Sequence, residues 1–291
     1  MSLDAARQRR ATARLLAAYL LIAATALAFP HRTAAWPILL LAHIGGAALL
    51  IWPGPVAHLL PERVSEVIAD WFPLLLIPAL YTELAVLNLS IWDGTYFDAV
   101  IQRWEAVLFG GQPSHELALR YPILWLSELL HASYLSYYLI IYLPPLILYL
   151  RNRRSDHRAA VFCVMVAFVV HYVFFIFFPV QGPRYLFAAP SGEVATGSVY
   201  ALTHRVLEAG SSRGAAFPSS HVGVAVAQTL TAFRFLPRLA PLLALLTTGL
   251  ALGAIYGGFH YATDAVVGAL LGAGAWFAAP RIRRALGSQA Q

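Results

Sequence analysis

Residues 159–178 read Ala159-Ala-Val-Phe-Cys-Val-Met-Val-Ala-Phe-Val-Val-His-Tyr-Val-Phe-Phe-Ile-Phe-Phe178, with no Asp, Glu, Lys or Arg. A helix needs about 20 mostly apolar residues to cross the hydrocarbon layer of a bilayer. A run without a polar face has no place on the surface of a water-soluble domain. Similar segments recur on both sides of it. They are Leu15–Phe29, Trp36–Trp52, Phe72–Ser90, Leu124–Leu150, Ser219–Phe235, Leu239–Phe259 and Ala262–Ala279. The first is short and the fourth long, and Pro144-Pro145 predicts a kink or an early end in the fourth. The expected fold is an all-α polytopic transmembrane helix bundle of about eight spans.

The composition agrees. Of 291 residues 59% are hydrophobic and 12% charged, against about 25% charge in a soluble domain, and the mean hydropathy is +0.66. This excludes a disordered chain and a soluble globule. It also removes nucleic acid as a partner, despite a net charge of +6. Membrane lipids are the expected surroundings. Every one of the 20 basic residues is arginine, and their placement sets an orientation. With the N-terminus inside, Arg7, Arg9, Arg10, Arg14, Arg63, Arg151, Arg153, Arg154, Arg158, Arg234, Arg238, Arg281, Arg283 and Arg284 are cytoplasmic. Arg32, Arg103, Arg120, Arg184, Arg205 and Arg213 face the other way. That asymmetry follows the positive-inside rule and puts both termini in the cytoplasm. The first segment also reads as a signal peptide, with arginines before a short apolar core and Thr33-Ala34-Ala35 after it. Cleavage there would not alter the later topology.

Two further stretches are amphipathic and read as helices in the headgroup plane or as covers for the bundle end. One places Val56, Leu59, Leu60, Val64, Val67, Ile68 and Trp71 on an apolar face, with Glu62, Arg63, Glu66 and Asp70 elsewhere. The other does so with Phe97, Val100, Ile101, Trp104, Val107 and Leu108, around Asp98, Gln102, Arg103 and Glu105. The single cysteine, Cys163, cannot form an intramolecular disulfide, and no zinc-ligand spacing is present, so no metal and no other cofactor is expected.

Three polar clusters fall on the non-cytoplasmic side. The first is Pro179-Val-Gln-Gly-Pro-Arg184-Tyr185. The second is Ser211-Ser-Arg213-Gly-Ala-Ala-Phe-Pro218-Ser219-Ser220-His221. The third is Gly257-Gly-Phe-His260-Tyr-Ala-Thr-Asp264. A helix starting near His260 puts Asp264 on the same face, where its carboxylate can accept Nδ1–H and free the Nε2 lone pair for attack. The pair reads equally well as a buried structural couple. Pro218 and the serines read as a helix start, whose free N–H groups and hydroxyls bind phosphate oxygens, with His221 placed to protonate a leaving oxygen. An ordinary helix cap is the competing reading. Arg184 and Arg213 suit bidentate phosphate binding, although each alone also reads as a headgroup anchor.

At these residues the sequence resembles the type 2 phosphatidic acid phosphatase superfamily. Pro218-Ser-Ser-His221 is similar to its Pro-Ser-Gly-His signature, and His260-x3-Asp264 to the end of its Ser-Arg-x5-His-x3-Asp signature. The resemblance implies that His260 is a nucleophile forming a phosphohistidine and that Asp264 orients it. His221 would be the acid for the leaving alcohol, and Ser219 and Ser220 phosphate donors. It implies a six-span catalytic core over residues 72–291, preceded by a two-span extension with an interfacial helix over residues 1–71. The chain departs from the family pattern at three places. Pro183-Arg184 reverses the Arg-Pro of the first signature, Phe177 stands at its lysine position, and Gly253 and Ala254 replace Ser-Arg. Arg213 is a candidate replacement for one missing cation. The centre of two histidines and an aspartate, with Trp104–Pro113 and Tyr134/Tyr137/Tyr138, is similar to the inositol phosphorylceramide synthase branch.

Glu83, Glu128, His131 and His171 are ionisable groups within apolar runs. Such groups are functional candidates, and Glu128 with His131 at i, i+3 is a candidate acceptor-binding pair. Interhelical hydrogen bonding is the plainer reading. The Tyr134, Tyr138 and Tyr142 stripe reads as packing or interface anchoring rather than a substrate cradle. The expected activity is cleavage or transfer of a lipid phosphate's phosphoryl group on the extracytoplasmic face. Alternatives are an inositol phosphorylceramide synthase-like head-group phosphotransferase and a non-catalytic lipid transporter or binding protein of the same fold. The donor lipid, the acceptor and the oligomeric state have no signature in the sequence.

Overall fold

The computed structural model describes residues 3–28, 36–53 and 61–288. Among these, every long element is an α-helix and no β-strand forms. The helices are α1 (Leu3–Leu27), α2 (Trp36–Ile51), α3 (Glu62–Thr82), α4 (Leu84–Trp92), α5 (Asp98–Phe109), α6 (Pro113–Arg120), α7 (Leu124–Leu135), α8 (Tyr137–Leu150), α9 (Arg154–Phe177), α10 (Ser198–Gly210), α11 (Ser220–Phe235), α12 (Ala240–Tyr256) and α13 (Ala262–Gly287). The protein is an all-α, multi-pass membrane bundle.

The apolar run at residues 159–178 is the axis of that bundle. It forms α9, which is buried along most of its length and packs against α1, α3, α4, α8, α11 and α13. A helix apolar all round is stable only where protein or lipid meets every face. Outward-facing leucines such as Leu75, Leu245 and Leu270 are more than two thirds exposed, forming the surface a bilayer would cover.

Among the described residues four helices, α1, α3, α9 and α13, are long and apolar enough to cross a membrane, and α7 with α8 makes a fifth if taken as one bent span. The remaining apolar segments form shorter helices, with 16 residues in α2 and α11 and 17 in α12. At 1.5 Å per residue these reach about 24–26 Å, slightly less than a bilayer core of about 30 Å.

The bend in the fourth segment is 41° and lies at Ser136, not at the prolines. The Ser136 hydroxyl donates to the Ser133 carbonyl at 2.6 Å, while Pro144 and Pro145 are buried inside α8. Neighbouring helices absorb the lost proline hydrogen bonds in such settings. The third segment is also rearranged. α3 begins at Glu62, so its amphipathic stretch and the following apolar run are one helix, and the chain breaks at Glu83 before α4. The Glu83 carboxylate meets His43 Nε2 at 3.3 Å. Residues 54–60, including Val56, Leu59 and Leu60, lie outside the described residues, as do Phe29, Arg32 and Thr33–Ala35.

Two polar ends result. At the end carrying both termini, buried Asp70 of α3 receives Arg9 of α1 at 2.9 Å and Arg158 of α9 at 3.5 Å. Gln8 reaches Ser155, and Arg14 donates to the carbonyls of Leu286 and Ser288. Asp70 therefore faces the protein, because two arginines from neighbouring helices need its charge. The opposite end carries α4–α6, α10 and the three polar clusters.

Candidate active site

Close backbone packing of α11 against α13 creates the site. A Cβ on Gly272 would meet the Gly223 carbonyl, and one on Gly268 would meet the Ser219 carbonyl. Small residues let membrane helices approach this closely. The starts of α11 and α13 consequently touch, with Ser219 N–H donating to the Asp264 carbonyl at 3.0 Å. Ser219 is the N-cap of α11, and its hydroxyl accepts from Val222 N–H at 3.4 Å. His221 at the first turn of α11 then stands 5.6 Å, ring to ring, from His260 just before α13.

The His260 ring is oriented by a backbone group. Its Nδ1 lies 2.9 Å from the Ala216 carbonyl and 3.6 Å from Asp264 Oδ2. A carbonyl only accepts, so Nδ1 carries the proton and Nε2 keeps its lone pair. Burial pushes His260 down to about 4, with the Arg184 charge acting in the same direction against the Ala216 bond, so the ring is neutral near pH 7. Asp264 is fully buried and accepts Tyr261 N–H at 2.9 Å, which ties its carboxylate to the helix start. Its Oδ2, at 3.6 Å from Nδ1, stands beside the imidazole but beyond hydrogen-bond distance.

Loops 179–184 and 212–217 complete the enclosure. Val180 N–H donates to Gly214 O at 3.1 Å, and Ala216 N–H to Val180 O at 2.9 Å. Gly182 sits at φ +94°, where a Cβ would press on Ala216 and the Phe259 carbonyl. Only glycine makes that turn without strain, and the turn delivers Arg184. Arg184 lines a small cavity with His221, His260, Gln181, Tyr134 and Ser211, its Nη1 donating to Ser211 Oγ at 3.0 Å. Arg213 is exposed, donates to Gln181 Oε1 at 2.7 Å and lies over the Tyr185 ring at 5.4 Å, so it meets the cavity through two of its lining residues. Ser220 and His221 also line an apolar cavity of about 210 Å³ with Tyr81, Tyr137, Tyr138, Tyr142 and Tyr172. Tyr138 and Tyr142 thus face open space, whereas Tyr134 and Tyr137 pack on the His221 ring at 5.2 and 4.3 Å.

The other candidates lie elsewhere. Glu128 accepts the N–H groups of Val199 and Tyr200, at 3.1 and 2.9 Å, and so caps α10. His131 is buried among Tyr200, His204, Tyr256 and Phe259, with Nδ1 on the Ser127 carbonyl. His171 lies beneath the site, its ring against Gly223. At the positions where the resembled signature carries Ser-Arg, Gly253 packs on the Leu130 carbonyl and Ala254 is buried with its carbonyl accepting Phe259 and His260 N–H. Among the described residues no group of three His, Cys, Asp or Glu side chains is arranged to hold a metal ion.

Two residues of the site were not singled out by sequence reasoning. On α5 the buried face carries Asp98 and Glu105 beside Ile101, while the apolar Trp104, Val107 and Leu108 are exposed. Buried Asp98 accepts Gln181 N–H at 3.0 Å, Gly182 N–H at 2.9 Å and the Tyr261 hydroxyl at 3.1 Å. Fully buried Glu105 accepts the first N–H of α13, that of Ala262. One helix therefore holds the loop carrying Arg184 and the start of the helix carrying Asp264. Burial raises Glu105 to about 7, with the Ala262 bond opposing the shift. The seven-residue spacing of the two acids, two helical turns, is the signal that could have found them.

A family model described as the PAP2 superfamily matches residues 100–278. The chain belongs to the PAP2 superfamily. The match begins within α5 and ends within α13, so it contains the three polar clusters and leaves α1–α4 outside. None of the curated proteins and none of the solved structures matches the chain. Membership supports a phosphatase-type enzyme acting on a lipid phosphate.

Proposed function

We propose that this PAP2 protein is an integral membrane enzyme that breaks a lipid phosphoester through a phosphohistidine on His260. The observation carrying this reading is the pairing of His221 and His260 at 5.6 Å, beside Arg184, where a tyrosine-lined apolar cavity reaches His221. The lipid chain occupies that cavity and the phosphate lies against Arg184. The Ser220 N–H and the hydroxyls of Ser219 and Ser220 donate to its oxygens, with Arg213 as an outer positive charge.

His260 Nε2 attacks phosphorus. The bond to the leaving oxygen breaks, and His221, charged once the phosphate anion lies beside it, gives that oxygen its proton. Water or an alcohol then attacks phosphorus, the P–N bond breaks, and its proton goes to neutral His221. Asp264 stabilises the positive charge developing on His260. The arginine distribution supports a site facing the extracytoplasmic side, with both termini cytoplasmic. Residues 72–291 form the six-span core in this reading and residues 1–71 the extension.

The test uses purified protein in detergent with a panel of labelled lipid phosphates. The wild type should release or transfer phosphate, and His260→Ala should abolish it. Lipid binding without turnover in the wild type would replace the enzyme reading by that of a lipid transporter or binding protein.

A further inference from the structure

At the end of the bundle that carries the termini, several arginines have partners within the protein. Arg9 and Arg158 meet Asp70, Arg153 meets Asp156, and Arg14 donates to two backbone carbonyls. Arg234 at the end of α11 and Arg283 and Arg284 at the end of α13 differ. Among the described residues, no carboxylate and no hydrogen bond meets their guanidinium groups.

Arg283 and Arg284 both line two cavities. The larger, of about 550 Å³, lies between the start of α1 and the end of α13, with Asp4, Arg7, Gln8 and Ser288 around it. The smaller, of about 170 Å³, lies among α9, α11 and α13, where Arg234 joins the pair and Phe162, Phe235 and Trp276 form a wall. Trp276 packs on Phe277, which is 64% exposed, so that wall runs out to the surface that lipid covers. Gly287 lets the two terminal helices meet, since a Cβ there would stand 3.0 Å from the Arg7 carbonyl.

Charge and wall together select the ligand. Four arginines and one carboxylate line the two spaces, and that carboxylate, Asp4, already accepts from Gln8 at 2.8 Å. Positive charge without a counter-ion at the edge of a low-dielectric layer is costly, and an anion removes that cost. Guanidinium groups fit phosphate through parallel N–H bonds. A free phosphate would gain nothing from the aromatic wall, whereas the first carbons of a lipid chain would be buried against it. Basic pockets between helix ends suit acidic head groups in this way.

We propose that the two cavities hold one acidic phospholipid of the leaflet at this end, its phosphate between Arg283 and Arg284 and its chain along Phe162 and Trp276. The lipid ties α1 to α11 and α13. Arg7, Arg283 and Arg284 lie outside residues 100–278, so the site is built by parts of the chain beyond the family match. It stands at the opposite end from His221 and His260 and does not rest on the reaction proposed there.

The test uses the full-length protein, delipidated in an uncharged detergent, with native mass spectrometry and thermal unfolding. Dioctanoyl phosphatidylglycerol is the probe, compared with dioctanoyl phosphatidylcholine and inorganic phosphate. One phosphatidylglycerol should stay bound per chain and raise the thermal midpoint by about 5 °C at about a hundredfold excess over Kd. Phosphatidylcholine should do neither. Arg283→Gln/Arg284→Gln should remove both effects. Arg234→Gln alters one exposed side chain and should weaken binding about tenfold. Arg238→Gln/Arg281→Gln removes two exposed charges that line neither cavity and should bind as the wild type does. Equal loss in that last pair means diffuse attraction to the surface and overturns the site. So does lipid retained by Arg283→Gln/Arg284→Gln, or wild-type affinity in Arg234→Gln should the double variant not fold. Inorganic phosphate raising the midpoint as much as the lipid would overturn the lipid as ligand.

Discussion

At His260, the group that fixes the imidazole is the Ala216 carbonyl, at 2.9 Å, and Asp264 stands farther off at 3.6 Å. The sequence spacing had predicted a His–Asp hydrogen bond, because i, i+4 residues on a helix share a face. The structure starts α13 at Ala262, so His260 precedes the helix and reaches a different acceptor. Glu105 gives a prediction at this scale. Its pKa rises from 4.5 to about 7 on folding, so the folded state holds the proton more tightly. The stability linked to it is complete below about pH 4.5 and is lost as pH rises through about 7. The thermal midpoint in detergent should fall across that window. Glu105→Gln keeps an acceptor for Ala262 N–H and should flatten the fall; an unchanged slope would contradict the assignment. Glu105 and Asp98 were hidden in the sequence because α5 is amphipathic, and amphipathicity alone does not say which face meets protein when lipid can cover the apolar one.

Among the elements, α11 and α13 matter most, since their starts carry His221 and Asp264 and their backbones touch at Gly223 and Gly272. Gly272→Ala forces a methyl into the Gly223 carbonyl and should destabilise by about 1–3 kcal/mol. Turnover should fall more than stability alone explains, because separating the helices separates the histidines. Gly274 on the same helix has open space around its Cβ position, so Gly274→Ala should leave both unchanged. Equal behaviour of the two variants, by thermal unfolding and turnover, would contradict the close-packing argument. The all-α membrane bundle was legible in the sequence, because apolar length is a local signal, although among the described residues four helices and one bent pair reach spanning length where about eight spans were expected. The bend at Ser136, the break at Glu83 and the capping of α10 by Glu128 were not. Each is set by a partner distant in sequence or by competition between neighbouring breakers.

For the whole molecule, the Arg9–Asp70–Arg158 contacts gather α1, α3 and α9 at the end with the termini, and the histidines lie at the other. The arginine bias predicts that the site end is extracytoplasmic. In intact cells an impermeant thiol reagent should label Ser191→Cys and not the wild type, whose Cys163 is buried. Labelling only after the membrane is broken would reverse the orientation. The central claim is tested most directly by trapping the enzyme during turnover of a lipid labelled at phosphorus. Wild type should carry acid-labile, base-stable label on His260. His260→Ala should carry none, and His221→Ala should form it about 10²–10⁴-fold more slowly, the range for loss of a general acid. Turnover with the label on another residue, or with His260→Ala as active as the wild type, would contradict the account.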